Sequence, residues 1–129
     1  MSYENPQTIT YTTGAITTTA AAATLPLRGP KGKQGRVRDI IARCTTTHVL
    51  GTTPTELKVG LAGKLTAYAD FLPAAMTAPT ATTLTDLPGA SVLGTTVIPA
   101  DTVVLLTTVA NATGSPAGVI TYDVVIDWF

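Results

Sequence analysis

The sequence contains little charge, few aromatic side chains and a single cysteine, and each shortage excludes a class of protein. Charged residues make up 12% and aromatic residues 5% of the 129 positions, and the charged share is about half the usual one. Cys44 stands alone, which excludes an intrachain disulfide. Eight basic residues balance eight acidic ones, so no net charge attracts nucleic acid or an anionic membrane. We expect neither as a direct partner.

The sequence also lacks the segments that direct a chain into or across a membrane. Residues 1–6 have neither the basic nor the apolar region of a signal peptide. No apolar run approaches the roughly 18 residues of a membrane helix. We therefore expect synthesis in the cytoplasm, and we expect the formal glycosylation sequon that begins at Asn111 to stay unused.

Residues that usually carry catalysis are scarce as well. His48 is the only histidine, whereas metal sites and acid–base chemistry usually recruit several His, Cys and acidic residues. Cys44 and His48 lie four residues apart where a strand is predicted to give way to a turn, so we interpret His48 as a turn residue and Cys44 as a small core residue. Asp123 and Asp127 are separated by roughly 13 Å of strand, too far to share a proton. The sequence predicts no enzyme, cofactor, metal ion or small-molecule substrate.

Threonine, alanine and valine dominate instead, and this weakly charged, β-branched composition favours an ordered β protein. The clearest segment is 119–129, where large apolar side chains occupy alternate positions: Ile120, Tyr122, Val124, Ile126 and Trp128. Because successive strand side chains point to opposite faces, the pattern predicts a half-buried strand whose inner face ends at Trp128. Asp123 and Asp127 then face outward, and Phe129 lies at a subunit contact.

Turn signals at intervals of 10–15 residues separate about eight segments of this kind, which predicts a single all-β domain with two antiparallel sheets. The predicted strands cover 7–19, 37–45, 55–61, 64–72, 82–87, 91–98, 102–110 and 119–129. Residues 46–54 are predicted to be a turn, and 111–118 the loop of a hairpin between the last two strands. We interpret 1–35 as an N-terminal strand or arm with a basic loop, and 36–129 as the core sandwich.

The basic loop has the sequence Arg-Gly-Pro-Lys-Gly-Lys-Gln-Gly-Arg over residues 28–36, and six of the eight basic residues lie between positions 28 and 43. It is not a phosphate-binding loop, because Gln34 follows Gly32-Lys33 and Leu27 occupies the position of the earlier glycine. Two interpretations stay open, a solvated hairpin-like loop and a basic finger that docks on an acidic neighbour. The docking candidates are Arg28, Lys31, Lys33 and Arg36.

The order of several short segments narrows the class of protein. They are Val37-Arg38-Asp39-Ile40-Ile41, Thr52-Thr53-Pro54, Lys58-Val59-Gly60, Ala67-Tyr68-Ala69, Ile98-Pro99-Ala100-Asp101-Thr102, Gly114-Ser115-Pro116-Ala117-Gly118 and Val124-Val125-Ile126-Asp127-Trp128-Phe129. In this order the sequence resembles the small structural proteins of tailed bacteriophages that decorate or cement the capsid. The resemblance covers about residues 37–129, and the basic loop is not part of it.

This resemblance implies a jelly-roll-like sandwich that sits as a homotrimer on the outside of an icosahedral head. Such a protein bridges neighbouring subunits of the major capsid protein against internal DNA pressure, and no catalytic residue transfers. The four loop cations then become capsid-contact candidates. The core or assembly candidates are Tyr122, Ile126, Trp128 and Phe129. Two alternatives remain: a tail or head-fibre component, and a carbohydrate-binding module, which would need exposed aromatic residues.

Overall fold

The computed structural model describes residues 7–73, 75–83, 92–93 and 96–129, which form nine β-strands. They are β1 (Gln7–Thr17), β2 (Ala23–Leu27), β3 (Gly35–Val49), β4 (Glu56–Leu61), β5 (Lys64–Phe71), β6 (Thr80–Thr83), β7 (Val92–Leu93), β8 (Val104–Val109) and β9 (Ala117–Trp128). Within these ranges no helix is long and apolar enough to cross a membrane. The all-β prediction is confirmed.

The strands form two antiparallel sheets. One has four strands in the order β1-β9-β3-β6, and the other has five in the order β2-β8-β4-β5-β7. If the two-residue β7 is set aside, the first, last, third and sixth strands share one sheet, and the remaining four share the other. This is the strand order of a jelly roll, in which two Greek keys fold into a double sheet. The predicted jelly-roll-like sandwich of about eight strands is confirmed.

Strand β9 lies in the middle of the four-stranded sheet, between β1 and β3. Its alternate side chains are buried as predicted: Ile120, Tyr122, Val124, Ile126 and Trp128. They belong to one core with side chains of the opposite sheet, and the rings of Phe71 and Tyr122 meet edge to face with centroids 6.1 Å apart. This face therefore supplies much of the apolar surface whose burial holds the two sheets together.

Strand β3 is longer than predicted and irregular. Its pairing with β9 shifts by one residue between Val37 and Asp39, so the buried positions change parity from Val37 to Ile40, as a β-bulge requires. Ile40, Ala42 and Cys44 are buried on the inner face, and the prediction that Cys44 is a small core residue is confirmed. The strand then continues to Val49. The turn predicted over 46–54 was therefore placed to begin too early, because residues 46–49 are still part of β3.

Residues 7–35 do not form an arm outside a core sandwich. Strand β1 pairs with β9 along one edge of the four-stranded sheet, and β2 pairs with β8 along one edge of the other. Strand β1 contains a β-bulge near Gly14, because the β1–β9 register shifts between Thr12 and Ala15. The division at residue 35 therefore does not follow the sheets.

The hairpin predicted between the last two strands is wrong. Strand β8 belongs to the five-stranded sheet and β9 to the four-stranded one, so residues 110–116 cross from one sheet to the other. Two other predicted strands are only partly described. Strand β6 overlaps the start of the 82–87 segment and β7 lies inside the 91–98 segment, while 84–91 and 94–95 lie outside the described residues.

Candidate interaction surface

Basic side chains collect at one end of the sandwich. Leu27 at the end of β2 pairs with Val104, and Gly60 near the end of β4 pairs with Leu105. One end of the sandwich therefore contains four segments. They are the 28–34 loop, the start of β3, the β4–β5 turn and the corner before β8. Six of the eight basic residues are there, and we call this surface the basic end: Arg28, Lys31, Lys33, Arg36, Arg38 and Lys64.

The basic end gives the molecule an uneven charge distribution although its net charge is zero. Among the described acidic residues, Asp39, Asp101 and Asp127 lie at or near this end, so cations outnumber acids there by two to one. Glu56, in contrast, pairs with Val109 at the opposite end of β8. Lys64 was not a sequence candidate, because it lies far from the other five cations in sequence and only the β4–β5 turn brings it to this end.

Lys31, Arg36 and Lys64 are the most available cations of the basic end. All three are exposed, and the described part of the chain offers none of them an ion-pair partner within 4.0 Å. Arg38 lies 3.7 Å from the Asp127 carboxylate, with the two side chains 63% and 43% exposed. Solvent screens such a pair strongly, so the pairing is weak and the Arg38 guanidinium can exchange Asp127 for another anionic partner.

The loop of the basic end is packed on Trp128. This side chain is only 2% exposed, and its indole N–H donates a 3.0 Å hydrogen bond to the Tyr11 hydroxyl. Gly29 and Gly35 lie against the indole ring, where a Cβ atom at either position would overlap it. The two glycines are therefore required by the close approach of the loop to Trp128.

Hydrogen bonds hold the rest of the loop to the sandwich. Gln34 and Phe129 exchange two backbone hydrogen bonds of 2.9 Å, and Gly35 exchanges two with Ile98. Asp101 joins the corner before β8 to the loop, because its carboxylate accepts from the Gly32 N–H and its carbonyl accepts from the Arg28 guanidinium, both at 2.9 Å. The loop is neither a hairpin nor a projecting finger, since it connects strands of different sheets and is anchored to the protein body.

The four core or assembly candidates divide as their parity predicts. Tyr122, Ile126 and Trp128 are buried, whereas Phe129 is 45% exposed. The backbone pairing with Gln34 fixes Phe129 beside the loop, so the basic end contains an exposed phenyl ring as well as cations. Burial raises the pKa of the Tyr122 hydroxyl, which is consistent with a core role.

His48 is not a turn residue. It lies in β3, is 1% exposed, and exchanges two backbone hydrogen bonds with Met76. Burial lowers the pKa of its imidazole, although the backbone of Ala117 and Pro73 acts in the opposite direction. The Cys44 thiol is directed towards the Met76 carbonyl, at 3.9 Å. Among the described residues no group of three or more His, Cys, Asp or Glu side chains is placed to hold a metal ion.

A pair of carboxyl groups lies on the paired strands β4 and β5. Burial, together with a hydrogen bond and repulsion from Asp70, raises the pKa of Glu56 to about 7. The charge of Lys58, which lies opposite Asp70, acts on the Glu56 pKa in the opposite direction. One oxygen of Asp70 is buried without a hydrogen-bond donor from the rest of the described chain, and a protonated Glu56 carboxyl can donate to a carboxylate of this kind. Sequence reasoning missed this pair because the two residues come from different strands.

Asn111 has a structural role that excludes its use as a glycosylation site in the folded protein. Its side chain is 2% exposed, donates to the Val49 carbonyl at 2.8 Å and accepts from the Gly51 N–H at 2.6 Å. A buried amide whose hydrogen bonds are made by the backbone is not available to a modifying enzyme. Through these hydrogen bonds Asn111 instead holds the segment that connects β8 and β9 against the end of β3.

Comparison with protein-family models, with curated proteins and with solved structures found no match to this chain. The resemblance to phage decoration proteins therefore rests on the sequence segments alone. The charge of the basic end and the packing of its loop are the features from which a function can be argued.

Proposed function

We propose that this protein is a virion structural protein that binds the outside of an icosahedral phage head and cements neighbouring subunits of the major capsid protein. The observation that carries the proposal is the basic end, where six of the eight basic residues of a molecule with zero net charge lie at the same end as the exposed phenyl ring of Phe129. This surface would face an acidic patch of the capsid. The protein would then work by adhesion and would need neither a cofactor nor a substrate.

Charge polarity supports a docking role for this end. Opposite charges on two surfaces steer their encounter and fix their relative orientation. Lys31 and Arg36 are suited to this role because both are exposed and neither is paired within the described residues. The acidic partner is a surface of a large assembly, so the attraction should act through many weak contacts at once.

The anchored loop supports the same role through its rigidity. Association costs free energy when it orders flexible side chains and loops. Here the contacts of Gly29 and Gly35 with Trp128, and the hydrogen bond from Gly32 to Asp101, hold the backbone in place before any partner arrives. Phe129 adds an apolar ring of the kind that commonly anchors protein interfaces.

The jelly-roll fold is compatible with this proposal but is shared by several classes of protein. Viral capsid domains use this fold, and so do lectins and other proteins, so function has to be argued from the surface. A carbohydrate-binding module would need several exposed aromatic side chains, whereas Phe129 is the only exposed aromatic among the described residues and Trp128 and Tyr122 are buried. The homotrimer implied by the resemblance stays a prediction.

The direct test uses undecorated heads of the phage whose genome encodes this chain. Purified protein is mixed with these heads, and binding is measured by cosedimentation and by negative-stain electron microscopy. We expect regularly spaced added density on the outer surface and greater resistance of the heads to heat. Heads that remain bare at saturating protein concentration would refute the proposal.

A further inference from the structure

Strand β1 leaves one edge of the four-stranded sheet open. It runs for 11 residues and pairs with β9 on one side only. No described residue pairs with its other side. The open side presents a row of backbone N–H and C=O groups that can accept another strand.

The other edge strands carry features that discourage such pairing. Strand β2 has five residues and contains Pro26, which cannot donate a backbone hydrogen bond. Strands β6 and β7 have only four and two residues. Strand β1 has no charged residue and no proline, and its bulge near Gly14 affects only its second half. Its first half is thus the least protected edge of the described sheets.

The sequence of this half is symmetrical about Thr10. Thr8, Thr10 and Thr12 lie on the outer face. Thr8 is opposite Asp127 of β9, and Thr12 is opposite Asp123. Ile9 and Tyr11 lie on the inner face and are partly buried against the core. When an antiparallel copy is centred on Thr10, threonine lies opposite threonine and isoleucine lies opposite tyrosine.

We propose that β1 pairs with β1 of a second copy of this chain, antiparallel, about a two-fold axis at Thr10. The pairing joins two four-stranded sheets into one sheet of eight strands. It places Thr8 opposite Thr12, and Ile9 opposite Tyr11, of the other copy. Threonine pairs and pairs of an aromatic with a β-branched residue are favourable cross-strand neighbours.

The charges beside this edge do not oppose the pairing. The Thr8 hydroxyl donates to Asp127 at 2.6 Å, and the Thr12 hydroxyl donates to Asp123 at 2.8 Å. Arg43 of β3 in turn binds Asp123 at 2.9 Å from the side away from β1. The nearest carboxylates are therefore occupied within one copy, and the zero net charge of the chain gives no overall repulsion between copies.

A cysteine scan tests the axis. A two-fold axis at Thr10 brings the two Thr10 Cα atoms to about 4.5–5.5 Å, within the range that a disulfide can span. The two Thr8 Cα atoms would be roughly 13 Å apart. We expect Thr10→Cys to give a covalent dimer on a non-reducing gel, whereas Thr8→Cys and the wild type, with its buried Cys44, stay uncrosslinked.

A charge substitution tests the edge without cysteine chemistry. Thr10→Lys puts two like charges opposite each other on the axis, so we expect it to turn the dimer into a monomer in light scattering with an unchanged circular dichroism spectrum. The matched control is Thr24→Lys on β2, which should stay dimeric. Crosslinking of Thr8→Cys but not Thr10→Cys, a monomeric or trimeric wild type, or a dimer that survives Thr10→Lys would each overturn the inference.

Discussion

The indole N–H of Trp128 donates a hydrogen bond to the hydroxyl of Tyr11, which ties the last strand of the sandwich to the first. The same indole supports the loop of the basic end through Gly29 and Gly35. One side chain therefore belongs to both the core and the support of the proposed docking surface.

Replacing Trp128 by alanine should remove a large share of the stability. Loss of a buried large aromatic costs about 3–5 kcal/mol, against a typical domain stability of about 5–15 kcal/mol. The free energy of unfolding from urea denaturation measures the loss. Phe129→Ala is the matched control, and it should cost less than about 1 kcal/mol because Phe129 is exposed. The reverse ranking would mean that the register of β9 is wrong by one residue.

Adding a methyl group at Gly29 or Gly35 should also destabilise the protein. The new Cβ would overlap the indole ring, and overpacking of this kind costs about 1–3 kcal/mol. Thermal unfolding of Gly29→Ala and Gly35→Ala measures the effect. Lys31→Ala, in the exposed part of the same loop, should leave the melting temperature nearly unchanged. Equal stability of all three variants would contradict the packing of the loop on Trp128.

Removing the exposed cations Lys31 and Arg36 should weaken binding to heads without weakening the fold, whereas Arg28 also anchors the loop to Asp101. Serine at Lys31 and Arg36 should lower affinity, and the affinity of the wild type should itself fall as salt rises. Cosedimentation with undecorated heads measures the first effect and thermal unfolding checks the fold. Unchanged binding by this variant would show that the basic end has no docking role.

The carboxyl pair predicts a pH dependence of stability. The pKa of Glu56 rises from 4.5 to about 7 on folding, so the folded state binds more protons than the unfolded state between these values. The contribution of Glu56 to stability is therefore present below about pH 4.5 and is lost as pH rises through about 7. Allowing for solvent screening, we expect a loss of roughly 1–2 kcal/mol.

Glutamine at Glu56 isolates this effect from other titrating groups, including His48. The difference in unfolding free energy between Glu56→Gln and the wild type should grow in favour of the variant from about pH 5 to about pH 8. Urea denaturation at the two pH values measures it. A difference that does not change with pH would contradict the raised pKa.

The mass of the particle in solution separates two predictions about assembly. The resemblance to decoration proteins implies a trimer, whereas symmetric pairing of β1 requires an even number of copies. One copy has a mass of 13.2 kDa, so light scattering at micromolar concentration distinguishes two copies from three. A monomer would contradict both predictions.

Patterns within one strand were predictable from the sequence, and relationships between strands were not. The alternation from Ile120 to Trp128 predicted the inner face of β9 because strand geometry alone determines it. Nothing local indicates whether β9 pairs with β8 or with β1 and β3, and the hairpin prediction failed for that reason. His48 was misplaced because the irregular end of β3 hides its periodicity.

The candidate surface was also predictable only where its residues are close together in sequence. The four loop cations are close together in sequence, so their clustering was visible. Lys64 reaches the basic end only through the β4–β5 turn, and the anchoring of the loop depends on Asp101 and Trp128, which are distant in sequence. Such contacts follow from the topology and not from local pattern.

The central position of β9 has a consequence for the order of events during synthesis. Strands β1 and β3 do not pair with each other, and each pairs with β9, so the four-stranded sheet cannot close until β9 has left the ribosome. Pairing between strands so far apart in sequence also slows folding, since long loops must be closed first. The core face of the five-stranded sheet should therefore stay incompletely covered, and the nascent chain dependent on protection from aggregation, until β9 has been synthesised.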